Sequence, residues 1–196
     1  MTIRRGEQWG SEVVDRPEVR IAADDAELAA WIAHEPGGAY GVSGGDLHRT
    51  IGHPSNERGT LWRLPIDVLH VRTESSVHLA VAHVAIRRWW WRGPLIFVCN
   101  VDHVGRWNVA PRAHPNDGRF DVVTVDASMS IRDRAEFRRR LPTRRHVPPP
   151  SVVVETATTW SWQAPSGARV RVDGRDIGVH TSLEVSLESD FAALLV

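Results

Sequence analysis

The turn Pro115-Asn-Asp-Gly118 and the alternating run Phe120-Asp-Val-Val-Thr-Val125 behind it constrain the fold of this chain more than any other stretch. Proline fixes φ, asparagine and aspartate bond their own main chain, and glycine admits positive φ, so the chain must reverse direction here. The alternation then specifies a strand with one buried face. A second reversal lies in Arg169-Val-Arg-Val-Asp-Gly-Arg-Asp-Ile-Gly178, where Asp173-Gly174 is the two-residue connection of a hairpin. Further short strands, bounded by turn residues, are expected at 19–21, 60–64, 68–72, 77–85, 94–100, 151–156, 170–172 and 183–187. Ser43-Gly-Gly-Asp46 reads as a turn, and residues 1–18 as a polar arm. Two helices are specified. One covers 26–33, with Asp24 and Asp25 at its positive end; the other runs from Ile131 up to Pro142 and is opened by the capping pattern Ser130-Ile-Arg-Asp133. The expected class is mainly β (α+β), a sandwich or barrel with few helices.

Composition narrows the chemistry. The 196 residues suffice for one domain, or one with a small appendage. The 24 basic residues are balanced by 24 acidic ones, so no net field recruits nucleic acid, and none is expected as a partner. Every basic residue is arginine, which excludes a Schiff-base or P-loop lysine. The single cysteine, Cys99, excludes an intrachain disulfide and reads as a buried small hydrophobe. No apolar run approaches the length of a membrane span, and the opening residues lack a signal-like apolar stretch, so a cytoplasmic location is expected.

The segment Gly105-Arg-Trp-Asn-Val-Ala-Pro-Arg-Ala-His-Pro-Asn-Asp-Gly-Arg-Phe-Asp-Val-Val123 resembles the G-x-x-x-x-A-P-x-A-x-x-x-D-G-x-x-D-V-V motif of bacterial diacylglycerol and lipid kinases, relatives of the sphingosine kinases. Ser43-Gly-Gly-Asp-Leu-His-Arg-Thr-Ile-Gly-His-Pro54 is similar to the G-T-G-N-D-F-A-R-x-L-G-x-P loop of that family, with Asp46, Arg49, Gly52 and Pro54 on matching positions. Leu64-Pro-Ile-Asp-Val68 resembles the V-D-L strand that follows it, and the Asp173 hairpin resembles V-D-G-E-x-x-G. The order is collinear from about Gly41 to Val196. The resemblance implies a β-sandwich of the NAD-kinase and diacylglycerol-kinase type, which in the family faces a nucleotide-binding α/β domain. Residues 1–40 would then be an arm and a vestigial strand–helix remnant of that domain, and 41–196 the sandwich.

Two departures bear on activity. The phosphate-cradling G-G-D-G-T of the family is matched best by Ala23-Asp-Asp-Ala-Glu27, with Asp25 at the acidic position; its glycines are gone and extra carboxylates stand where phosphates belong. By resemblance, the glutamate of D-G-E is the general base, and here that position is Arg175, which cannot accept a proton. Asp176 is adjacent but on the other side of a strand, while Asp46 and Asp173 remain as carboxylates near the cleft. The family also holds a structural magnesium ion with an aspartate of the D-G turn, an acid three residues earlier and a main-chain carbonyl. This chain has Asp117 but His114, which leaves either a weakened or softer metal site or an ordinary aspartate turn.

The reading that follows is a shortened lipid-kinase-like protein without ATP-dependent catalysis. It would bind an anionic, phosphorylated or lipid-like ligand, or a partner protein, in a cleft bounded by Gly44, Gly45, Asp46, His48, Arg49, Asn100, Asp173 and Arg175, with His103 in an adjoining loop. One alternative is a minimal lipid kinase using ATP and Mg2+, completed by dimerisation, with Asp46, Asp173 or Asp176 as base and metal ligand. Another is a structural homodimer or scaffold. In Arg87-Arg-Trp-Trp-Trp-Arg-Gly93 the three consecutive tryptophans cannot all face one core, which points to a homodimer or domain interface, or to contact with a membrane surface. The arginines from 132 to 145 form a solvated face or a contact for anionic headgroups. The ten histidines form no metal-binding motif, and His78 and His83, five apart in the 77–85 strand, face opposite sides.

Overall fold

In the computed structural model, which describes residues 9–14, 17–52, 61–88, 93–143 and 149–196, the chain forms β1 (Ser11–Val13), β2 (Arg20–Ala22), α1 (Asp25–His34), β3 (Tyr40–Val42), α2 (Gly45–Ile51), β4 (Leu61–Thr73), β5 (Val77–Ala80), β6 (His83–Arg87) and β7 (Leu95–Cys99). It continues through β8 (His103–Val104), β9 (Trp107–Asn108), β10 (Phe120–Val125), α3 (Ile131–Arg140), β11 (Val152–Ala157), β12 (Thr159–Val172) and β13 (Arg175–Leu195). The main sheet has the antiparallel order β1-β4-β13-β12-β6-β7-β10-β11, with β5 added to β4. Strands far apart in this order share one core: Leu69 and Val71 of β4 and Leu183 and Val185 of β13 lie in one cluster with Ile96 and Val98 of β7 and Phe120 and Val122 of β10. The sheet is therefore folded over on itself, and the fold is mainly β, as the turn and strand pattern requires.

Two helical layers cover what this core leaves. Phe137 and Leu141 at the α3 end of the molecule pack on Phe97, Val123 and Val125. At the other end, β2 and β3 are parallel and joined by α1, and β3 meets β13 where Tyr40 lies opposite Leu194. Ala22, Leu28 and Ile32 share an apolar cluster with Ile66, Val68 and Leu194, so this N-terminal unit is packed on the sheet. Burying such side chains contributes on the order of 1.5–3 kcal/mol each.

Several local expectations change. The 60–64 and 68–72 strands are one, because Pro65 is accommodated in the β4–β13 ladder opposite Ala193. The 77–85 strand is two, separated at Val81-Ala82, so His78 and His83 belong to different strands. Ser43-Gly-Gly-Asp46 opens α2 instead of forming a free turn. The 170–172 and 183–187 segments are parts of longer arms of 14 and 21 residues, which also bury Trp162 and Ala168 in β12 and Ala192–Leu195 in β13. The N-terminal arm also has structure: β1 pairs with β4, and Trp9 Nε1 donates to the Pro65 carbonyl at 3.0 Å. The capping pattern is realised as read, with Ser130 Oγ accepting from Asp133 N at 3.1 Å. Pro54, Trp89–Trp91, Arg144 and Arg145 lie outside the described residues.

Candidate ligand-binding site

Three aspartates far apart in the sequence, Asp25, Asp46 and Asp173, come together where α1, α2 and the β12–β13 hairpin meet, and each is committed to main-chain donors. Asp173 opens the hairpin turn with φ 46°, followed by Gly174 at φ 80°, the left-handed pair that a two-residue turn requires. Its carboxylate accepts from the N–H groups of Val81, Ala82 and His83 at 2.8, 3.0 and 2.8 Å. These bonds take the donors that a continuous 77–85 strand would have used, which is why β5 and β6 are separate. Burial raises the Asp173 carboxyl, opposed by His83 and the three amides.

Asp25 performs the same service for α2. Gly44 offers no capping side chain, and Asp25 accepts instead from Asp46 N at 2.5 Å and Leu47 N at 3.1 Å. Gly45, at φ 93°, is required by this contact, since a Cβ there would stand 2.3 Å from Asp25 Oδ1. Asp24 meanwhile caps its own helix, accepting from Glu27 N at 2.8 Å. Burial, then the charge of Asp173 and that of Asp46, raise the Asp25 carboxyl to about 7 against the pull of the Asp46 and Leu47 amides. Asp46 accepts from Gly105 N at 2.8 Å and pairs with Arg49 at 3.2 Å, and the buried His83 Nδ1 lies 3.4 Å from its Oδ2.

Beyond Asp173 the hairpin opens on a cavity of about 260 Å³. Ala26, Ala29, Ala30 and Ala33 give one wall, an apolar stripe along α1, and Val77, Leu79, Val172 and Ile177 give the facing walls. Arg175 and His78 are the cationic or titratable groups on its lining besides Asp173. Arg175 is exposed and forms no ion pair with the described residues, whereas burial and the charge of His180 lower the His78 pKa. Arg175 and Asp173 thus share one cavity, and Asp25 and Asp46 are not on its lining.

The other expected residues occupy different settings. Gly44 is the N-cap of α2, and Gly45, His48 and Arg49 belong to it; His48 Nδ1 lies 2.9 Å from the Val42 carbonyl. Asn100 is fully enclosed and donates to the carbonyls of Asp67 and Val81, both at 2.9 Å, so it staples strands. His103 Nδ1 is 2.5 Å from Asp102 Oδ1, and Asp102 also accepts from Thr50 Oγ1 at 2.6 Å and Asn108 Nδ2 at 2.8 Å. Asp176 faces Arg169 at 2.7 Å and accepts from Gly178 N at 3.0 Å, which lowers its pKa and turns it to the outer side of the hairpin arm. At the Pro115–Gly118 turn, Asp117 pairs with Arg119 at 3.1 Å and His114 Nδ1 accepts from Asn116 N at 3.2 Å.

That turn is held by a residue not singled out from the sequence. Asp67 accepts from Gly118 N at 2.8 Å and Asp190 N at 2.9 Å, and its own N–H donates to Pro115 O at 2.7 Å. An acid inside the apolar run Leu64–Val71 was the available signal. Among the described residues no group of three His, Cys, Asp or Glu side chains could hold a metal ion. Asp46 spends its oxygens on Gly105 N, Arg49 and His83, whereas at the turn Asp117 gives Oδ2 to Arg119 and keeps Oδ1 buried without a hydrogen-bond partner among the described residues.

Comparison with known proteins gives the fold a likeness. No family model matches the sequence, and no curated protein matches it with significance. Three solved structures from Bacillus anthracis str. Sterne are similar in three dimensions. One is described as a putative diacylglycerol kinase, with a TM-score of 0.66, 13% identity, and coverage of 90% of this chain and 77% of that one. A second, also a putative diacylglycerol kinase, has a TM-score of 0.66, 13% identity, and coverage of 90% and 76%. A third, described as a diacylglycerol kinase, has a TM-score of 0.65, 13% identity, and coverage of 90% and 76%. Among the described residues no helix is long and apolar enough to cross a membrane. The chain has a diacylglycerol-kinase-like, β-rich fold.

Proposed function

We propose that this protein binds an amphipathic anion, with a phosphate or carboxylate head and an apolar tail, in the cavity between α1 and the β12–β13 hairpin, and that it does not transfer phosphate from ATP. The observation that carries the reading is Arg175, an exposed guanidinium without an ion pair among the described residues, on the lining of a cavity whose other walls are mostly aliphatic. A guanidinium takes an oxyanion through two parallel hydrogen bonds, and aliphatic walls take a hydrocarbon tail. Against kinase activity, Arg175 cannot serve as a base, and the α2 amides of Asp46 and Leu47, which could have met a phosphate, are satisfied by Asp25.

One observation favours an enzyme instead. A carboxyl titrating at about 7, as burial makes Asp25, is suited to general acid–base chemistry at neutral pH, and Asp46 and Asp173 stand beside it. A thermal-shift comparison separates the two. Dodecyl phosphate should stabilise the protein, by about 2.7 kcal/mol at a hundredfold excess over Kd, whereas ATP with magnesium should leave the melting temperature unchanged. Magnesium-dependent stabilisation by ATP, or ADP release in the presence of a lipid alcohol, would favour the kinase.

A further inference from the structure

The helix α3 is fastened to the sheet by a buried guanidinium that meets no carboxylate. Arg134 is 4% exposed. Its Nε donates to Met129 O at 3.2 Å, and its Nη2 donates to Gly93 O and Asp126 O, both at 2.6 Å. The carbonyls satisfy these donors without neutralising the charge. Nη1 is buried and finds no acceptor among the described residues. The neighbouring acid, Asp126, turns its carboxylate to Ser128 N at 2.6 Å and offers Arg134 only its main-chain oxygen.

Arg134 forms part of the wall of a cavity of about 30 Å³ whose other walls include Leu95, Phe97, Val125 and Leu141. Arg138, which lies over the Trp107 ring at 4.9 Å, and Trp107 itself complete the same wall with Phe137. Among the described residues the lining therefore contains two guanidinium groups, aromatic and aliphatic carbon, and no acid. A water needs roughly 10–15 Å³ on this measure, so the space is about twice that of one water. Asp126 offsets the Arg134 charge only through space, and a water would satisfy Nη1 without adding to that; stripping the hydration from a dianion costs far more than from a monoanion, so an apolar-walled slot favours the latter.

We propose that this slot binds a small monocarboxylate of acetate or propionate size, its carboxylate bonded to Arg134 Nη1 and its alkyl end against Leu95 and Phe97. The site lies on the α3 side of the sheet, lined by none of the residues of the Arg175 cavity, and is independent of the function proposed above.

The test is a thermal-shift titration of the whole chain with sodium acetate at constant ionic strength, set against chloride and sulfate. Acetate is expected to raise the melting temperature to a saturating value that chloride and sulfate do not reproduce. Arg134→Met should weaken the acetate response at least tenfold. Leu95→Phe, which fills the slot and keeps the guanidinium, should do the same, and decides the matter if Arg134→Met does not fold. The absence of a saturable acetate response in the natural sequence, which is the result for a slot holding water alone, overturns the proposal. So does a response retained in the slot-filled variant, and an equal response to chloride overturns the carboxylate assignment.

Discussion

Replacing Asp25 by asparagine removes a titration whose direction and size the structure sets. In the folded chain this carboxyl is raised from 3.8 to about 7, by burial first and then by Asp173 and Asp46. Below the lower value, folded and unfolded chains both hold the proton, and its stabilising contribution is fully present. Between the two values only the folded chain holds it, so stability falls as pH rises and the contribution is lost through about pH 7. At about 1.4 kcal/mol per pH unit, the interval amounts to roughly 4 kcal/mol. Asparagine does not titrate and keeps one oxygen for an α2 amide. Urea denaturation of both proteins from about pH 4 to about pH 8 should show the natural chain losing roughly 4 kcal/mol relative to Asp25→Asn. Titrating groups distant from Asp25 cancel in that difference, while Asp46 and Asp173, whose charges act on it, contribute to it. A difference that stays constant to within about 1 kcal/mol across the range would refute the reasoning.

Two further substitutions probe the same junction. Asp173→Ala leaves the N–H groups of Val81, Ala82 and His83 without their acceptor, and should cost about 3–5 kcal/mol in chemical denaturation, with loss of amide-exchange protection at those positions. Gly45→Ala puts a methyl group 2.3 Å from Asp25 Oδ1 at φ 93°, and should cost more than about 2 kcal/mol, whereas Gly37→Ala, where the added carbon meets nothing within 4 Å, should be nearly neutral.

The parts of the fold that were legible in the sequence are those where the local signal and the tertiary role coincide. The Asp173-Gly174 turn needs two left-handed residues wherever it occurs, and the capping serine of α3 bonds within its own first turn, so both could be read from neighbouring residues. The misread segments are those decided by distant partners. Helix α2 exists because Asp25, 20 or more positions earlier, takes its first amides. The break between β5 and β6 exists because Asp173, about 90 positions later, takes three of theirs. Of the cleft residues read from motif order, Asp173 and Arg175 line one cavity while Asp46 is buried off its lining, next to amides and side chains that single-residue chemistry does not signal.

The proposed ligand site depends most heavily on Arg175 as the anion-binding group of the α1–hairpin cavity. Isothermal titration with dodecyl phosphate, comparing the natural chain with Arg175→Gln, measures this directly. Loss of a charge-assisted pair worth about 2 kcal/mol predicts about thirtyfold weaker binding in the variant at unchanged stability. Equal affinity in the two proteins, or no binding to either, would contradict the assignment of this cavity.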